Sequence, residues 1–100
     1  HGAAVTRGGQ LYVWGDNHEG ALGLGRDVKN VATPELHEQM SRMQVTAVAC
    51  GASHTSVITA TGELWSWGSG NAGQLGIGDE IDYYEPQRSK VLGVGSKLRL

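Results

Sequence analysis

The residues of this chain that could do chemistry are few, and their spacing suits none of the usual reactions. Ser53 and His54 are adjacent, Cys50 lies four positions before His54, and Asp79 and Asp82 follow further on. Serine, histidine and aspartate are the parts of a hydrolase triad, in which the imidazole takes the hydroxyl proton and the carboxylate orients the ring. No Gly-x-Ser-x-Gly elbow presents Ser53, and nothing in the spacing brings these groups together. Cys50 and His54 could share a metal, but there is no second thiol and no consistent ligand spacing. The glycines of 20–25 and 73–78 lack the Gly-x-x-x-x-Gly-Lys-Ser/Thr order of a phosphate cradle and read as turns. No catalytic, cofactor-binding or metal-binding set is therefore expected, and no cofactor.

His54 has a counterpart in His1, and that recurrence is more informative than the chemistry. His1, Gly9, Leu11, Trp14, Gly15, Gly20, Leu22, Gly23 and Gly25 return 53 positions later as His54, Gly62, Leu64, Trp67, Gly68, Gly73, Leu75, Gly76 and Gly78. Pro34 returns as Pro86, 52 positions on. A period near 50 marks a repeat architecture, whose single units cannot bury their own apolar faces. The reading that follows makes His1, Trp14, Gly15, Gly23, His54, Trp67, Gly68 and Gly76 structural, with each histidine fixing the turn before a strand. Residues 1–44 would end one repeat and lead to the next, and 45–100 would hold a second repeat, incomplete at its C-terminus. Both are expected to be part of one larger domain.

The elements that must position these residues are strands. Val45–Cys50, Thr55–Thr59 and Leu64–Trp67 are short β-prone runs separated by turn residues at hairpin distances. Side chains alternate across a strand, so Trp65 and Trp67 share one face and Leu64 and Ser66 the other. Tyr12 and Trp14 are likewise opposed to Leu11 and Val13. Both faces are largely apolar, which predicts an all-β fold of roughly two consecutive propeller blades, each a small antiparallel sheet. Leu22 and Leu24 are expected to tuck the glycine-rich connection onto its own blade, and Cys50 to be a small buried hydrophobe. Pro34 and Pro86 would stand near the start of the next strand, at an edge where a missing N–H is tolerated. The run 35–43 reads as loop or short strand.

Two variable stretches, 26–33 and 79–85, interrupt the likeness of the copies. In the second, Asp79, Glu80, Asp82 and Glu85 surround Tyr83 and Tyr84. Tyrosine favours interface cores and charge steers encounter, so these six residues are the candidate partner-binding set; a solvated loop with one tyrosine over a blade edge is the alternative. Arg26, Asp27 and Lys29 give the matching first-copy loop mixed charge. Eight basic and ten acidic residues, divided evenly between the halves, leave no electrostatic footprint for direct nucleic-acid binding. No apolar run reaches 18 residues, so no membrane span is expected.

Leu11-Tyr12-Val13-Trp14-Gly15-Asp16-Asn17 with Gly20-Ala21-Leu22-Gly23-Leu24-Gly25, and the copy Leu64–Gly68 with Gly73–Gly78, resemble the repeats of the regulator of chromosome condensation family. Val48-Ala49-Cys50-Gly51-Ala52-Ser53-His54-Thr55 is similar to that family's Val-Ala-x-Gly-x-x-His-Thr segment. The resemblance implies about two blades of a propeller that usually has seven. WD repeats are shorter and carry Trp-Asp, and the leucine-glycine loop is not a kelch feature. Local departures are Gly2 against Thr55, Asn17 against Gly70 and Ala21 against Gln74. The dimer-face Gly-Trp-Arg-His-Thr of the plant ultraviolet-B photoreceptor branch is absent, and the tryptophans here occupy ordinary repeat positions. What the resemblance implies for function is a scaffold for protein–protein interaction. The alternative is guanine nucleotide exchange on a small Ras-like GTPase, as in the family's founder. The partner is then a protein, a small GTPase or other subunits of a complex, and the location intracellular, cytoplasmic or nuclear.

Overall fold

A computed structural model describes residues 1–70 and 81–89. Among these residues the chain forms two antiparallel sheets. The first contains β1 (Gly2–Val5), β2 (Leu11–Asp16) and β3 (Asn30–Leu36) in that order, and the second β4 (Val45–Cys50), β5 (His54–Thr59), β6 (Leu64–Gly68) and β7 (Tyr83–Arg88). By the 53-residue offset, β1, β2 and β3 correspond to β5, β6 and β7. These are the two small sheets expected of consecutive blades.

The faces follow the alternation in the sequence. Leu11 and Val13 turn one side of β2 inward, while Thr55 and Val57 on β5 pair with Trp67 and Trp65 on β6. Trp67, fully buried, meets Leu11, Val13, Leu22, Met40, Val45 and Val57 in a single core between the sheets. The aromatic side of one sheet thus packs on the aliphatic side of the sheet before it. A five- or six-residue strand buries too little on its own, and this two-sided stacking supplies the missing apolar contact.

The Trp-Gly pairs are explained by a shared irregularity. The ladders β2–β3 and β6–β7 slip register across Trp14 and Trp67, between Val13 and Gly15 and between Ser66 and Gly68. Gly15 and Gly68 leave the bulge at φ +101° and +105°, a conformation that side-chain-bearing residues rarely adopt. A Cβ at Gly15 would lie 2.6 Å from the His1 Cα, and one at Gly68 2.7 Å from the His54 Cα. The recurring histidine and the glycine after tryptophan are therefore two sides of one close backbone approach.

Several local expectations are corrected. Residues 35–43 are neither loop nor short strand throughout: Glu35 and Leu36 end β3, and Glu38–Met43 forms a helix, α1. His37 caps α1 by accepting from the Met40 amide at 3.4 Å, and Met40 is its buried residue. Six residues with one buried position show no 3.6-residue pattern. Pro34 and Pro86 stand well inside β3 and β7 rather than near a strand start, and both are edge strands, where the lost donor is tolerated as expected. Cys50 is exposed, because it ends β4, the opposite edge strand of its sheet. No helix among the described residues is long and apolar enough to cross a membrane.

Replacing Trp67 by alanine removes the largest side chain of this core, and its expected cost is about 3–5 kcal/mol. A urea midpoint for the variant close to that of the parent protein carrying this chain would contradict the interblade placement.

Candidate functional site

The glycine-rich connection after β2 does not fold back only on its own sheet, as expected from Leu22 and Leu24. It crosses to the second. Asn17 fixes its shape: the side-chain carbonyl accepts from the Leu22 amide at 2.8 Å, and the side-chain amide donates to the Gly25 and Val28 carbonyls at 3.0 and 2.8 Å. Asn17 is buried with all its hydrogen-bonding groups engaged, which makes the loop a rigid knot. Leu22 is fully buried between the sheets.

The knot ends on one carbonyl. Ala21 O accepts from Trp67 Nε1 at 3.0 Å and from the Thr55 hydroxyl at 2.8 Å. Thr55 has a single proton, spent on Ala21, so His1 Nε2 donates to the Thr55 hydroxyl across 3.0 Å. His1 therefore fixes the neighbouring blade, not the turn before its own strand. His54 packs its ring over Gly51, and its Nδ1 is buried without a hydrogen-bond partner. Gly23, at φ +68°, lies flat on the indole: a Cβ there would stand 2.8 Å from Trp67 Nε1.

His37 is a residue that recurrence does not reveal, because the matching position of the other repeat is not histidine. Its counterpart is Ser89: the His37 amide donates to Leu11 O and the Ser89 amide to Leu64 O, both at 2.8 Å, yet the side chains differ. The His37 ring stacks on Trp67 with centroids 5.3 Å apart. Its Nε2 donates to the Gly23 carbonyl at 2.8 Å while Nδ1 accepts from Met40. Both nitrogens are thus committed in the neutral tautomer. Burial outweighs the hydrogen bond to Gly23 and holds this imidazole below its ordinary value of 6.5.

The candidate partner-binding residues divide. Asp79 and Glu80 lie outside the described residues, as does Gly76. Tyr83, Tyr84 and Glu85 begin β7 rather than a loop, and Asp82 accepts from the Gly70 amide at 3.0 Å. The knot runs along the start of this strand. The Gly25 amide donates to Tyr84 O at 2.9 Å, and a Cβ at Gly20 would stand 2.5 Å from Tyr83 O. Residues 24–27 and 81–85, at equivalent positions of successive repeats, are thereby brought to one rim. The Arg26 guanidinium lies 4.5 Å from the centre of the Tyr84 ring, and an open groove of about 640 Å³ runs between Leu24, Arg26, Ile81, Tyr84 and Glu85. Ile81 is 58% exposed beside it. Sequence reasoning gave Arg26 little weight; the equivalence of the two stretches was the signal that placed it opposite Tyr84.

The comparisons agree with this geometry. The model of the "Regulator of chromosome condensation (RCC1) repeat" matches residues 8–58 and 61–97, and a second model of that description matches 45–74. The human "Probable E3 ubiquitin-protein ligase HERC4" is 37% identical over 92 residues, 92% of this chain and 9% of that protein. The Arabidopsis thaliana "Ultraviolet-B receptor UVR8" is 38% identical over 100% of this chain and 22% of its own length. The crystal structure of Prp20p from Saccharomyces cerevisiae, described with its binding properties to Gsp1p and histones, superposes with a TM-score of 0.79 at 24% identity, covering 88% of this chain and 23% of that one. The chain spans less than a quarter of each.

His37 yields a pH dependence. The unfolded chain takes up a proton near pH 6.5 and the folded imidazole only at lower pH, so this contribution is complete above about 6.5 and is lost as pH falls. His54, also lowered by burial, acts in the same direction. The urea midpoint of the parent protein should therefore fall below pH 6.5. His37→Gln, which keeps a donor for Gly23 but cannot titrate in this range, should flatten the profile without abolishing its slope; an unchanged slope would remove His37 as a cause.

With its Trp-Gly bulges, its interlocked sheets and these matches taken together, the chain belongs to the regulator of chromosome condensation (RCC1) repeat family.

Proposed function

We propose that these blades serve a propeller that docks other proteins, and that the rim formed by 24–27 and 81–87 is the part of the docking surface this chain supplies. The observation that carries this reading is the way the knot of one repeat is clamped to β7 of the next. It fixes an aromatic and charged rim on a rigid support, the usual division of labour between binding loops and scaffold. Such a chain needs no covalent chemistry of its own, and the location that accords with its relatives is intracellular.

Of the two activities expected from the sequence, nucleotide exchange on a small Ras-like GTPase has the better support, and a scaffold without exchange comes second. The support for exchange is the founder's activity, implied by the family, together with the likeness in fold to Prp20p, whose description names binding to Gsp1p and histones. The ligase relatives support the scaffold reading, since there the matched segment is a small part of a longer chain. Purified Ras-like GTPases loaded with a fluorescent GDP analogue provide the test. The parent protein should accelerate GDP release from one of them, and Tyr83→Ser with Tyr84→Ser should weaken its capture while sparing the urea midpoint. Capture without acceleration would leave the scaffold. Affinity unchanged by the double substitution would remove this rim from the interface.

A further inference from the structure

We propose that the rim groove accepts an arginine- or lysine-bearing segment of the partner protein, with the Tyr84 ring as its seat. This rests on the docking reading above and specifies its chemistry. Tyr84 already holds a cation: the guanidinium of Arg26 lies 4.5 Å from its ring centre, the distance of a favourable cation–π contact. The chain's own side chain thus demonstrates what this aromatic face accepts. Both residues stand at the groove surface, so an incoming cation can share or take that position.

The surroundings favour a cation over an anion. The groove between Arg26 and Tyr84 continues into a second one, with Leu24 and Glu85 walling both. Asp27 and Glu85 flank the first, and Glu35 and Glu38 the second, all four exposed. Arg26 is the one lysine or arginine among the described residues lining either groove; on their other side Arg26 and Tyr84 border a third, where Asp16 and Glu19 balance Arg26 and Lys29. Apolar surface for an aliphatic stem is present in Leu24 and the exposed Ile81, and long basic side chains bury such stems while keeping the charge in water.

Main-chain pairing is not the mode of recognition. Tyr84 O is taken by the Gly25 amide, and Pro86 offers no N–H, so the outer edge of β7 is blocked at two nearby positions. A partner must be read by side chains in the groove and not by adding a strand.

The test is fluorescence anisotropy on the parent protein. One labelled peptide alternates arginine and glycine, and a second has glutamate for every arginine. The arginine peptide should bind with salt-sensitive affinity and the glutamate peptide should not. Tyr84→Ala should weaken binding about three- to five-fold, and Arg26→Ala, which removes the internal competitor, should strengthen it about two- to five-fold. Arg26 is exposed, so its removal tests the idea without threatening the fold. Weaker binding after Arg26→Ala, or preference for the glutamate peptide, would overturn the basic partner while leaving the docking rim in place. If neither peptide binds and the tyrosine substitutions also leave GTPase capture unchanged, both readings fall.

Discussion

The carbonyl of Ala21 organises this pair of blades. Two donors from the next sheet, an indole N–H and a hydroxyl, converge on it, and His1, just ahead of β1, completes the chain of bonds. Ala21, Thr55 and Trp67 are withdrawn from water and so must be paired, since an unsatisfied buried polar atom costs about 1–3 kcal/mol, whereas His1 reaches the Thr55 hydroxyl from an exposed position. The apolar core gives the sheets a reason to stack but is indifferent to small sliding motions. The directed bonds are not, and they set the register of one blade on the next.

That dependence explains which positions carry sequence information. At position 21 the bonding group is main chain, so the two bonds it receives do not specify its side chain. Thr55 acts through its hydroxyl, which Gly2 at the matching position of the first repeat lacks. Asn17 closes the first knot through three side-chain bonds, while Gly70 at the same place has no side chain and donates its amide to Asp82. The copies share a fold without sharing every bond.

Much of this was legible in the sequence, for a physical reason. Strand alternation separates Trp65 and Trp67 from Leu64 and Ser66 without knowledge of the partner sheet, and a 53-residue recurrence picks out Trp14, Gly15 and their copies. Four features were hidden. The helix Glu38–Met43 is too short to display periodicity and exists through its cap and one buried methionine. Cys50 sits in an apolar run yet ends an edge strand, and hydropathy does not report edges. His37 does its work through a ring that its counterpart, Ser89, lacks. The meeting of Arg26 and Tyr84 was obscured for a related cause: the loops vary because the fold leaves their side chains outside the shared core.

The crossing of the knot has a consequence for how such arrays are assembled from parts. The knot lies in the chain between β2 and β3 of one sheet, yet it is held by the sheet after it. A module excised sheet-first would carry a knot parted from its clamp and a tryptophan with no carbonyl to receive its N–H. One cut ahead of the knot would take with it both halves of the lock. The transferable unit is therefore out of phase with the visible repeat: it begins at Asn17, inside one blade, and ends inside the next.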